Sequence, residues 1–121
     1  MTIIQMLLKE MDQEALTTCK MLERVPTDKF DWQPHKKSMT LQRLATHVAE
    51  LPTWVEMAIL TDELDFAHNA YEPEIIADSA GLLEYFERSL ARGRAVPTRR
   101  TVRRRRRFKC WGSAVARGLV R

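Results

Sequence analysis

Apolar residues at Ile4, Leu7, Leu8, Met11, Ala15, Cys19 and Leu22 recur at steps of three and four, the spacing of one stripe on an amphipathic helix. Lys9, Glu10, Asp12, Glu14 and Lys20 lie off that stripe. The pattern predicts a helix over about residues 2–24, ending at Val25-Pro26-Thr27-Asp28 because proline disfavours helical geometry in the residue before it. Residues 26–38 read as a connector, which Phe30 and Trp32 are expected to pin to the rest of the chain. A second stripe, Leu41, Leu44, Ala45, Val48, Leu51, Val55, Ala58 and Ile59, predicts a helix over about residues 40–61. Ser38 or Thr40 caps it, and Pro52 kinks or briefly breaks it. After an acidic connector over 62–77, a third helix capped by Asp78 or Ser79 carries Leu82, Leu83, Phe86 and Leu90. It is well patterned as far as Ala91.

Three amphipathic helices without strand-like alternation predict an all-α, up-down bundle. A regular bundle wants a fourth helix of similar length, and nothing after residue 91 supplies one. The patch from Ala114 to Val120 contains Gly118 and is too short to close the bundle. The expectation is therefore three recognisable helices, a fourth that is missing or replaced by a tail, and an uncovered apolar face.

Charge sharpens that division. Residues 1–91 hold all 16 acidic residues against 8 Lys and Arg, a balance of −8. Residues 92–121 hold 11 Arg and Lys109 with no Asp or Glu, a balance of +12. Two units follow from this: an incomplete helical bundle over 1–91 and an arginine-rich tail over 92–121. Cys19 and Cys110 lie in unlike halves and form no close pair, which favours two free thiols and a reducing compartment. The N-terminus lacks the basic and apolar regions of a secretory signal, and no stretch reaches the roughly 20 apolar residues of a membrane span. A cytoplasmic protein without membrane contact is the expectation.

His47 lies one turn after Leu44 and one before Leu51, on the flank of the second stripe. One histidine makes no metal site, and a partly buried, hydrogen-bonded core residue is the plain reading. His35 and His68 fall in connectors and read as surface or capping residues. The local sequences add to this. Leu22-Glu23-Arg24-Val25-Pro26, Phe30-Asp31-Trp32-Gln33-Pro34-His35, Lys37-Ser38-Met39-Thr40-Leu41 and Leu44-Ala45-Thr46-His47-Val48-Ala49-Glu50-Leu51-Pro52 appear in order. Together, over roughly residues 3–91, they resemble the DinB-like superfamily of metal-dependent four-helix proteins. That resemblance implies a metal-dependent hydrolase or thiol S-transferase ancestry. It also implies a divalent metal, zinc or nickel, held by one second-helix histidine and a His-x-x-x-His pair on the fourth helix. His47 matches the second-helix ligand. This chain departs from the pattern because nothing after residue 68 is a histidine. A complete three-histidine site within one copy is not expected, and neither Cys19 nor Cys110 is promoted to a nucleophile.

Three readings compete for the tail. Arginine outnumbers lysine 11 to 1 after residue 91 against 3 to 5 before it, as out-of-frame translation of a GC-rich gene produces. Alternatively, Arg99, Arg100, Arg103, Arg104, Arg105, Arg106 and Arg107 neutralise phosphates while Phe108 and Trp111 stack on bases, giving sequence-independent nucleic-acid binding. In the third reading the positive tail folds onto the negative body, with Trp111, Val115, Leu119 and Val120 covering the open face, or two copies bury that face in a homodimer.

Overall fold

A computed structural model describes residues 1–63, 65, 67–68 and 71–99. Among the described residues every regular element is helical: α1 (Ile3–Glu23), a single 3-10 turn (Thr27–Lys29), α2 (Leu41–Glu50), α3 (Thr53–Leu60) and α4 (Ser79–Arg99). None is long and apolar enough to cross a membrane. The predicted second helix is thus two shorter ones. Pro52 lacks the N–H an uninterrupted helix needs, so the chain turns at Leu51-Pro52 and restarts at Thr53, whose hydroxyl donates to the Glu50 carbonyl at 2.7 Å.

Side chains set the other boundaries. Thr2 and Gln5 form a reciprocal capping box at the start of α1: the Gln5 amide donates to Thr2 Oγ1 and the Thr2 amide to Gln5 Oε1. Thr40, not Ser38, caps α2, its hydroxyl accepting from the Arg43 amide. Asp78 caps α4, accepting from the Gly81 amide at 2.7 Å.

α4 packs against α1, α2 and α3, making it the centre of the fold. Its Leu82, Leu83, Phe86 and Leu90 are buried against Ala15, Cys19 and Leu22 of α1 and Ala45 and Ala49 of α2. Ala49 is 0% exposed, so the small side chains of α2 are closely covered by the larger Leu and Phe side chains of the core. This turns α2 roughly a third of a turn from its apolar stripe. Thr46 and Glu50 go inward, while Leu44 and Leu51, expected to face the core, are exposed. Phe30 anchors its connector as expected, but Trp32 does not: it is exposed. Backbone bonds hold that loop instead, the Leu41 amide donating to the Trp32 carbonyl and the Gln42 amide to that of Phe30.

The third predicted helix continues past Ala91 to Arg99. Two arginines thought to open the tail belong to it, because the body supplies their counter-charges. Arg92 donates from Nε and Nη2 to Glu56 Oε2 at 2.9 and 2.6 Å, and Arg94 pairs with Asp12. Gly93 between them lies against the Pro52 carbonyl at the α2–α3 break. Cys19 is corrected too. It is disulfide-bonded rather than a free thiol, and its buried position on α1 accommodates a half-cystine as readily as a thiol. The first half of the α1 stripe is less covered than the second: Leu7 is exposed, while Ile4, Leu8 and Met11 are half-buried. Leu7, Leu8 and Met11 face Val55 and Ile59 of α3 and Val96 of α4 across an apolar groove of about 630 Å³.

Candidate functional site

The only sequence-derived ligand candidate, His47, sits at the end of α2, its side chain 31% exposed. One ring nitrogen is committed: Nδ1 lies 2.7 Å from Glu50 Oε1, three residues along the same helix. Trp54, across the Leu51-Pro52 turn on α3, presents its ring nearly perpendicular to the imidazole at a centroid distance of 5.7 Å. The break at Pro52 therefore folds an aromatic wall back onto His47.

Glu50 is the electrostatic centre. It is 4% exposed, and a carboxylate this deep needs compensating partners, since an unpaired buried charge costs several kcal/mol. The Tyr71 hydroxyl donates to the same Oε1 that His47 reaches. Arg43, two turns upstream of Glu50 on α2, lies over the Tyr71 ring, 5.2 Å from guanidinium carbon to centroid. Its Nη1 is buried without a hydrogen-bond partner. Burial raises the Tyr71 hydroxyl pKa above its ordinary value, and its hydrogen bond to Glu50 raises it further. Tyr85 on α4 is raised as well, first by burial and then by the negative charges of Glu50 and Glu74. Arg88 stacks over Tyr85 at 5.1 Å and pairs with Glu74 at 2.9 Å. Gln42 completes the frame, donating to the Ile76 carbonyl at 2.6 Å and tying α2 to the segment before α4.

The other histidines have local roles, as their connector positions implied. His35 Nδ1 accepts from the Lys37 amide at 3.1 Å. His68 Nδ1 lies 2.5 Å from Asp65 Oδ2, and this bond, with one from the Ala67 amide, holds the Asp65 carboxyl below its usual range. Both rings are exposed. Among the described residues no three His, Cys, Asp or Glu side chains are placed to hold a metal ion. The donor set around His47 is one imidazole, one carboxylate already accepting two hydrogen bonds, and two tyrosines kept protonated. It does not fit the three-imidazole site that the family resemblance implies.

The sequence carried part of this cluster. His47 and Glu50 stand at i, i+3, a spacing that places both on one helix face. Tyr71 and Tyr85 come from elsewhere in the chain and carried no local signal. The arginine candidates Arg100, Arg103, Arg104, Arg105, Arg106 and Arg107 lie outside the described residues, as does the side chain of Arg99. In comparisons with known proteins the chain matches no family model, no curated protein and no solved structure.

Proposed function

We propose that the chain is a DinB-like helical protein that keeps the second-helix histidine, His47, without a complete metal site. In this reading it descends from metal-dependent hydrolases or thiol S-transferases and acts as a helical scaffold rather than as a metal-dependent enzyme. The observation that carries the reading is the commitment of His47 Nδ1 to the buried Glu50 carboxylate, which Tyr71 also holds. The cluster ties α2 to residues 71–77 and leaves only the outer imidazole nitrogen for any ion. A single imidazole binds zinc or nickel weakly, because multidentate capture is what makes such sites tight.

The test is metal content after gentle purification, followed by calorimetric titration with zinc and nickel. The expected result is well under one metal per chain and weak binding that His47→Ala reduces further. Near-stoichiometric metal that survives purification and is abolished by His47→Ala overturns the reading.

A second reading, nucleic-acid binding through Arg99, Arg100 and Arg103 to Arg107, is supported by the run of positive charge without one acidic residue after residue 91. It requires affinity that falls steeply with salt, since each neutralised phosphate contributes a slope of about −0.9 on duplex DNA in a log–log plot. Binding to duplex DNA that is unchanged when Arg103 to Arg107 are replaced by Gln removes it.

A further inference from the structure

We infer that the groove between α1, α3 and the end of α4 binds a small amphipathic cation, an alkyl chain ending in one ammonium group. The chain lies along the aliphatic wall and the charge is held by Glu10 and Glu14. The inference is independent of the reading of His47, which lies on a different element.

The groove has the size and lining of a small-molecule site. Its volume of about 630 Å³ falls within the roughly 300–1,000 Å³ that encloses organic ligands. Leu8 and Met11 of α1, Val55 of α3 and Val96 of α4 are half-buried in its wall. Leu7 and Ile59, on α1 and α3, stand at 59% and 54% exposure, so apolar surface on both helices is left for an occupant to cover. The only polar residues in the lining are Glu10 and Glu14.

Those two acids select the charge of the occupant. They stand four residues apart on α1, one turn and about 6 Å along the axis, on a shared face that lets both carboxylates reach one cation. Like charges at this spacing destabilise a helix, and a cation between them offsets the repulsion. Both residues are exposed, and neither forms an ion pair among the described residues. Their neighbours differ: Asp12 is paired with Arg94 and Glu56 with Arg92. The acidic side of α1 and α3 thus already takes cations where the chain supplies them, and the pair at the groove is the one left over.

Other occupants match less well. A fatty acid would set its carboxylate against Glu10 and Glu14, with no Lys, Arg or His in the lining to receive it. A basic amphipathic helix would bring charge to both flanks of its apolar face, but the acids stand on the α1 side alone, opposite Val55 and Ile59. A second copy related by a twofold axis would set Glu10 and Glu14 against the same residues of its partner.

The test is calorimetric titration of the full chain with decylammonium, decanol and decanoate, each below its micelle concentration. Decylammonium is expected to bind one per chain and at least tenfold more tightly than decanoate. Glu10→Gln with Glu14→Gln should remove that preference and leave decanol binding unchanged. Leu7→Gln, at an exposed position where folding is not at risk, should weaken decylammonium and decanol alike by several-fold. Equal binding of the amine and the acid, a preference that survives the double Gln variant, or affinities indifferent to Leu7→Gln each overturn the inference. So does a full chain that takes up no alkyl ligand, including one that forms a concentration-dependent dimer in sedimentation velocity and so covers the groove with a second copy.

Discussion

Glu50 receives two hydrogen bonds at one oxygen, from His47 and from Tyr71, and this is how a carboxylate 4% exposed is tolerated in a small helical core. Removing a donor should cost more than an average hydrogen bond, because the acceptor stays buried when the donor leaves. Tyr71 is itself partly solvated, which tempers the loss. Tyr71→Phe is therefore expected to destabilise the fold by about 1 kcal/mol in urea unfolding, with the slope unchanged. The same cluster sets an alkaline limit. The hydroxyl pKa values of Tyr71 and Tyr85 are raised above 10.0, chiefly by burial, so above that pH the folded chain keeps protons that the unfolded chain has lost. Their contribution is complete below the unfolded value and is lost as pH climbs through the raised one. The urea midpoint should fall between about pH 9 and about pH 11, and Tyr71→Phe should flatten part of the fall. A midpoint that is flat over that range contradicts this account. Of this cluster the sequence exposed the helical pair His47 and Glu50. It concealed Tyr71, which reaches the carboxylate from 21 residues away, because local spacing carries no information about such a contact.

Element boundaries were largely legible because local chemistry writes them. Thr40, Asp78 and Pro52 end or begin helices through hydrogen bonds and steric limits that involve only near neighbours. Helix orientation was less legible. The apolar stripe of α2 points Leu44 inward, but the facing surface of α4 accepts Ala45 and Ala49 at closer range and turns Leu44 outward. That outcome depends on two elements together and cannot be read from either alone. The end of α4 shows the same dependence. Gly93 is a weak helix former, and Ala there would gain about 0.5–1 kcal/mol by propensity. Yet a Cβ at Gly93 would run into the Pro52 carbonyl and lie 3.1 Å from Met11 Cε. A backbone carbonyl at a proline turn has no rotamer to retreat to. The clash should win, and Gly93→Ala is expected to lower stability by about 1–2 kcal/mol in urea unfolding. A variant more stable than the parent would show that α4 does not approach the break this closely.

At the scale of the molecule, the separation of charge determines how salt acts. The body over residues 1–91 carries −8 and repels itself, while residues 92–121 carry +12. Arg92 and Arg94 already rest on Glu56 and Asp12, pairs whose individual worth at a surface is about 0–1 kcal/mol. Their larger meaning is directional, because they set the start of the positive segment against the acidic side of α1 and α3. If the remaining arginines follow them, attraction between segment and body outweighs repulsion within the body, and screening removes more stabilisation than strain. Screening length falls from about 30 Å at 0.01 M to about 10 Å at 0.1 M salt, so this range is where the effect should appear. The melting temperature of the full chain is then expected to fall as salt rises across it. Replacing Arg103 to Arg107 by Gln leaves the body's negative charge less compensated, and the same titration should turn flat or positive. The decisive quantity is thus the sign of the difference between the two salt slopes, which general effects of salt on the hydrophobic core do not alter because the described core is common to both chains. Parallel slopes would mean that the positive segment contributes nothing to the fold of the body it follows.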